Sequence, residues 1–302
     1  MTKKFEVYDN RFLELLRPDS ELKQLWTGAR WSEGPVYFTE GDYVTWSDIH
    51  NNRMLRWSDK DGMSIFRQPS NFSNGHYRDL QGRLVSCEHG GRRVTRTEAD
   101  GSVVVLVDSY RGKKLNSPND VIVKSDGTIW FTDPPYGIIQ PGEGYLAESE
   151  LGINYVFRFD PTTHDLTPVV DDMDKPNGLA FSPDEGILYV ADSGFSHDPN
   201  GPHHIRAYDV IDGKTLINGR VFAVIEPGVP DGFRLDKHGY LFISSQDSVQ
   251  VYSPAGELLG KIMVPEIIAN LTFGGPNKDR LFIAANSSLY SIMLNTNGIQ
   301  KP

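Results

Sequence analysis

The stretch DKPNGLAFSPDEGILYVAD, Asp174 to Asp192, holds two short apolar runs joined by the turn SPDEG. The second run, LYVAD from Leu188, is rich in β-branched and aromatic residues and reads as a buried strand. The same kind of run recurs as VTWSD at Val44, LVSCE at Leu84, IWFTD at Ile129, LFISS at Leu241 and LFIAA at Leu281. In chain order the six starts lie 40, 45, 59, 53 and 40 residues apart. Most are preceded by a turn holding Gly or Asp (EGD, LQGR, SDGT, DEG, KHGY, NKDR). Most are followed by a further strand such as RMLRWS, YVFRFD, HIRAYDV or VQVYS, and often by another such as GSVVVLV or GRVFAVI.

Six repeats of this period, each of several strands, predict an all-β fold: a six-bladed β-propeller. A sandwich of many short strands has no reason to repeat itself six times. The reading is a single domain over residues 1–302, with residues 1–21 as an N-terminal extension. The one helix candidate is RFLELL near Arg11, short and close to the terminus. After SLYSIMLN in the sixth repeat little chain remains for an outer strand, while LKQLWTG (Leu22–Gly28) before the first repeat resembles one. It is therefore expected to close the ring as the outer strand of the last blade, which protects sheet edges. Insertions at 134–154 and 195–204, rich in Gly, Pro and His, are expected to overhang one mouth of the channel, where binding residues gather.

Ten or eleven residues before each strand motif stands an oxygen-bearing side chain: Glu33, Asn74, Asn119, Asn177, Asp231 and Asn270. Each opens the innermost strand of its repeat, in SEGPVYF, SNGHYRD, PNDVIVK, PNGLAFS, PDGFRLD and ANLTFGG. Innermost strands line a propeller's channel, so these six positions converge near the axis. One such residue would be ordinary turn chemistry. Six in register, with Glu33 in place of a favoured turn residue, point to a site. Two carboxylates and four amides with no thiolate suit a hard cation, which takes 6–8 oxygens when it is Ca²⁺. Not all six can be direct ligands, and Asn74 and Asn270 are assigned to turns or to support behind the ligands.

The bulk properties bound the rest. The chain has 302 residues, 38% hydrophobic and 23% charged, as a globular protein does. The net charge of −10 argues against a nucleic-acid partner. A single cysteine, Cys87, leaves no disulfide framework and no zinc site built from several thiolates. MTKKFEVYDN has no apolar leader core, and no run reaches 18 apolar residues. The expectation is a cytoplasmic protein with no membrane partner, a monomer or small homo-oligomer.

The motifs WSEGPVYF, LNSPNDVIVKSDGTIWFTDPPYG, KPNGLAFSPDEGILYVAD, PDGFRLDKHGYLFIS and NLTFGGP resemble the senescence-marker-protein/regucalcin/gluconolactonase family across roughly residues 22–294. The resemblance implies a six-bladed propeller with a divalent cation in its channel and hydrolysis of sugar lactones. It implies Glu33, Asn177 and Asp231 as metal ligands and Asp231 as catalytic acid/base. It places Asn119 near the metal against substrate, and in related propeller phosphotriesterases that position is a ligand too. Animal members carry an arginine on the sugar two positions before this Asn. Here Ser117 stands there, so the sugar contacts differ.

The expected cofactor is one divalent cation, Ca²⁺ first, with Mg²⁺, Mn²⁺, Fe²⁺ and Zn²⁺ as alternatives. The expected activity is hydrolysis of a gluconolactone-like aldonolactone, the metal polarising the carbonyl and Asp231 moving the proton. Covalent attack by Asp231 is a variant. Ser117, Asn119, Tyr136 and His197 are the substrate-side candidates, and Asp192, Asn74 and Asn270 the supporting ones. His76, His89, His203 and His204 are weaker candidates. A phosphotriesterase or esterase on the same metal, or a calcium-binding propeller without catalysis, are the alternatives. GEGYLA (Gly142–Ala147) fits a dinucleotide fingerprint but lies in a Pro/Gly loop without strand–helix context. DKDG at Asp59 lacks the later ligands of a calcium loop. No G-x-S-x-G occurs, which disfavours a serine hydrolase.

Overall fold

The computed structural model describes residues 4–300; Met1, Thr2 and Lys3 of the expected N-terminal extension, and Lys301 and Pro302, lie outside the described residues. The chain forms a six-bladed β-propeller of antiparallel sheets, each contributing four strands to the ring. Blade 1 runs from channel to rim through Ser32–Phe38, Tyr43–Asp48, Arg53–Ser58 and Gly62–Arg67. Blades 2 to 5 repeat this order, their innermost strands being Ser73–Arg78, Val121–Val123, Pro176–Phe181 and Phe233–Leu235. Blade 6 takes its inner three strands from Ile268–Gly274, Arg280–Ala285 and Ser288–Met293. Its outer strand is Lys23–Thr27, which pairs antiparallel with Thr27 opposite Ser288 and Lys23 opposite Ser291. The ring thus closes where LKQLWTG was expected to close it.

The repeated motif is the second strand of every blade, and its composition follows from its place. Each blade packs both faces against neighbours, so these strands are buried almost throughout, as in Leu84–Glu88 and Ile129–Asp133. Both faces must therefore be apolar, and the motif reads as a continuous run rather than an alternation. One apolar cluster fills each of the six seams; Trp130, Val156 and Leu179, for example, join blades 3 and 4.

The N-terminal extension is more structured than its sequence suggests. Phe5–Val7 adds a fifth strand to the outer edge of blade 5, pairing with Leu258–Met263. RFLELL yields a single helical turn, Arg11–Glu14, whose Phe12 is fully buried in the seam between blades 5 and 6. Nothing in the repeat pattern predicts the added strand.

Because first strands run away from one mouth and second strands run back to it, the connections after second strands lie at the mouth where first strands begin. The insertion at 134–154 follows Ile129–Asp133, and that at 195–204 follows Ile187–Asp192. Both therefore overhang the starts of the innermost strands. The first insertion carries a short helix, Tyr136–Ile139.

Candidate functional site

At the site position the inner strands break register. Ladder pairing shifts between Glu33 and Val36, Ser73 and His76, Pro176 and Leu179, and Ile268 and Asn270. Such bulges re-aim a side chain that a regular strand would point at a neighbouring blade. In blades 3 and 5 the position precedes the ladder: Asn119 N donates to Thr132 O at 2.9 Å and Asp231 N to Ser244 Oγ at 2.9 Å. Four site residues are followed by glycine because the blades nearly touch here. A Cβ on Gly34, Gly75, Gly178 or Gly232 would strike Asn74, Asn119, Asp231 or Asn270 of the next blade respectively. The pairs EG, NG, NG and DG thus encode close approach around the axis.

One cavity at this mouth, about 1470 Å³ with its open entrance, gathers Glu33, Asn74, Asn119, Asn177 and Asp231, with Tyr136 and His197 from the two insertions. Tyr136 Oη lies 3.2 Å from Ser196 Oγ, which lies 2.9 Å from His197 Nδ1, so the insertions meet over the site. Three of the expected site residues do not line the cavity. Ser117 spends its hydroxyl on the insertion, donating to Pro134 O at 2.6 Å and accepting from Gly137 N at 2.9 Å. Asp192 accepts the Asp174 and Lys175 N–H groups at 3.0 and 2.9 Å, so it holds the chain just before Asn177 rather than its amide. Asn270 sits behind Glu33, donating to Glu33 Oε2 at 3.2 Å. His76 is fully buried between Ser47 Oγ and Ser86 Oγ, 2.8 Å from each. His203 bonds Ile225 O at 2.9 Å.

The two carboxyl groups of the cavity floor are electrostatically frustrated. Glu33 is 2% exposed, with Oε2 accepting the Gly34 N–H at 2.6 Å. Burial first, then the charge of Asp120, pushes its carboxyl up to about 8. Asp231 is raised well above its usual value by burial, then by Glu33, Asp120 and Glu143. Beneath them, Asp120 faces Arg234 Nη1 at 3.4 Å, so that guanidinium already answers one carboxylate. Two acids facing each other in a buried site must share protons or a cation.

Asn74 supplies an oxygen by a chain of necessity. His89, fully buried and held neutral by burial, has Nδ1 3.1 Å from the Glu143 carbonyl. A carbonyl only accepts, so Nδ1 carries the proton and Nε2 accepts. The Asn74 amide, 3.2 Å from Nε2, must then present its NH₂. Its Oδ1 is left buried, without a hydrogen-bond partner, on the cavity side. Asn74 therefore stands at the cavity rather than behind it. Among the described residues the side-chain amides of Asn119 and Asn177 also have no partner in the protein. The buried Asn74 oxygen, without a partner, asks for a ligand or water, while the Asn119 and Asn177 amides open onto the cavity. Among the described residues no three His, Cys, Asp or Glu side chains are placed to hold a metal together. A cation here would draw its remaining oxygens from amides. Two carboxylates and three free amide oxygens fit a hard divalent cation.

Trp31, His50, Gln140 and Glu143 also line the cavity, and sequence reasoning missed all four. Glu143 lies within GEGYLA, whose loop carries no periodicity from which to read a direction.

Fold and site together define a class: six-bladed propellers with a polar, acid-containing pocket at one mouth of the channel. The family model for the SMP-30/gluconolactonase/LRE-like region matches residues 31–287, and the chain belongs to this family. A gluconolactonase of Zymomonas mobilis is 30% identical over 98% of this chain and 87% of its own. A structure of a gluconolactonase from Xanthomonas campestris superposes with TM-score 0.91 at 40% identity, covering 97% of this chain and 95% of that one. A pentonolactonase of Haloferax volcanii is 26% identical over 85% of this chain and 82% of its own.

Proposed function

We propose that the protein is a divalent-cation-dependent hydrolase that opens sugar lactones, gluconolactone-like aldonolactones above all, to aldonic acids. The observation that carries this reading is the carboxyl pair of buried Glu33 and half-buried Asp231 facing free amide oxygens, in a chain whose relatives are named gluconolactonase and pentonolactonase. Glu33, Asn177, Asp231 and Asn119 would hold the cation, Ca²⁺ by the hardness of the donors, with Asn74 Oδ1 as a further oxygen. When bound, such an ion polarises the lactone carbonyl and lowers the pKa of a water beside it.

The chain's own groups do the rest. Asp231 takes a proton from the attacking water as the new C–O bond forms. It returns that proton to the ring oxygen as the old C–O bond breaks. Ligation lowers the basicity of a carboxylate, while burial and the Glu33 charge raise it. Asn119 offers its amide to the substrate, and Tyr136 with His197 covers it. Among the described residues no helix is long and apolar enough to cross a membrane.

Replacing Asp231 by Asn tests the assignment. Loss of a proton-transfer group typically costs about 10²–10⁴-fold in kcat. A D231N protein that bound its cation and opened gluconolactone at full rate would refute the role.

A further inference from the structure

The cavity mouth shows which lactones fit. His50 lies on the turn Ile49–Asn51 after the second strand of blade 1, and the Ile49 N–H donates to Trp31 O at 3.1 Å. Gln140 and Glu143 descend from the insertion onto the same corner of the cavity. The side chain of Glu143 is only 15% exposed, and its Oε1 lies 3.7 Å from His50 Nε2. That distance is too long for a hydrogen bond. His50 Nε2 is nevertheless buried and has no hydrogen-bond partner. A ligand hydroxyl set off the line joining them can reach both, donating to the carboxylate and accepting from the imidazole in the tautomer that carries its proton on Nε2. The Glu143 main chain is fixed for this by the His89 bond to its carbonyl.

Charge sharpens the choice of ligand. Glu33, Asp231 and Glu143 all line the cavity, and among the described residues no Lys or Arg side chain does. A cation held by the Glu33–Asp231 pair would leave Glu143 as the unanswered negative charge at the mouth. The remaining wall mixes apolar side chains, Trp31, Phe195, Val229, Ile267 and Ile268, with the neutral polar Ser193, Ser245 and Gln246. We infer that His50 and Glu143 form a hydroxyl-binding corner that selects uncharged polyhydroxy lactones and rejects those carrying phosphate, sulfonate or a second carboxylate. Glu143 is then the specificity-determining residue. This inference rests on the lactone-hydrolase reading.

The test compares kcat/KM for D-gluconolactone and for its 6-phosphate with the cation-loaded protein and with Glu143→Gln. The like charge of Glu143 opposes a phosphate at the mouth, so wild type is expected to favour the neutral lactone by roughly 10-fold or more. E143Q should narrow that ratio to a few-fold by lowering KM for the phosphorylated substrate. His50→Ala should raise KM for the neutral lactone with kcat little changed. Equal kcat/KM for both lactones in wild type, or an unchanged ratio in E143Q with an unchanged melting temperature, overturns the inference. Failure to open either lactone would instead sink the lactone-hydrolase reading.

Discussion

Replacing Glu33 by Gln should have opposite effects on the cation-free and cation-loaded protein. In the folded, cation-free state the Glu33 carboxyl is pushed from 4.5 to about 8, chiefly by burial. The unfolded chain therefore releases this proton above pH 4.5, while the folded chain keeps it until about 8. Folding stability then falls as pH rises through that window. By pH 7 the cost, shared with the Asp231 carboxyl that titrates with it, is on the order of a few kcal/mol, at about 1.4 kcal/mol per pH unit. Gln is nearly isosteric, keeps an acceptor for the Gly34 N–H, and turns an amide N–H toward Asp231. The chelated E33Q protein should thus melt roughly 5 °C above chelated wild type at pH 7, with the gap vanishing near pH 4.5. Adding Ca²⁺ should raise the melting point of wild type steeply and of E33Q little, since mass action stabilises only the state that binds. Differential scanning fluorimetry with and without chelator, at several pH values, reads both effects. A chelated E33Q protein less stable than wild type, or a calcium response equal in the two, would refute the reasoning.

Gly178→Ala should destabilise by about 1–3 kcal/mol or more, because the new Cβ meets the Asp231 carbonyl, and should weaken cation binding in calorimetry. Unchanged stability and affinity would show that the blades can part at no cost. His76, held neutral with its pKa lowered to about 3 by burial, makes stability fall as pH drops below 6.5, where the unfolded imidazole takes up a proton. Denaturant titrations of His76→Gln should show a shallower loss between pH 6 and 4; identical slopes would contradict a buried neutral ring. Deleting residues 1–27 removes the outer strand of blade 6 and the Phe12 anchor, and should replace one sharp melting transition by early, broad unfolding. A truncated chain that melts as wild type does would show that ring closure is dispensable.

The ring was legible because its cause is repetitive. Every second strand is squeezed between two blades, so the same apolar run had to recur six times, and closure by Lys23–Thr27 followed from counting strands. The site positions were legible for the same reason: register carried Glu33, Asn119, Asn177 and Asp231 to one floor. What the repeat cannot encode is direction. The free oxygen of Asn74 is set by His89, in the turn just past the second strand of its own blade, and by a carbonyl from the blade 3 insertion, a relation with no sequence period. Ser117 was expected on the substrate side, but its hydroxyl is consumed by Pro134 and Gly137. His50 and Glu143 come from a turn and an irregular loop and meet only in the folded ring. The strand at Phe5–Val7 is three residues long and pairs with a distant edge, too little to read from composition.

The most direct measurement is gluconolactone opening by chelated protein while a single divalent cation is titrated back, with bound metal counted in parallel. The expected result is a rate near background without metal that recovers in step with one ion bound per chain, and no recovery in a Glu33→Gln, Asp231→Asn double variant. Full lactone hydrolysis by metal-free wild-type protein would contradict the assignment of Glu33, Asn119, Asn177 and Asp231 to a catalytic cation.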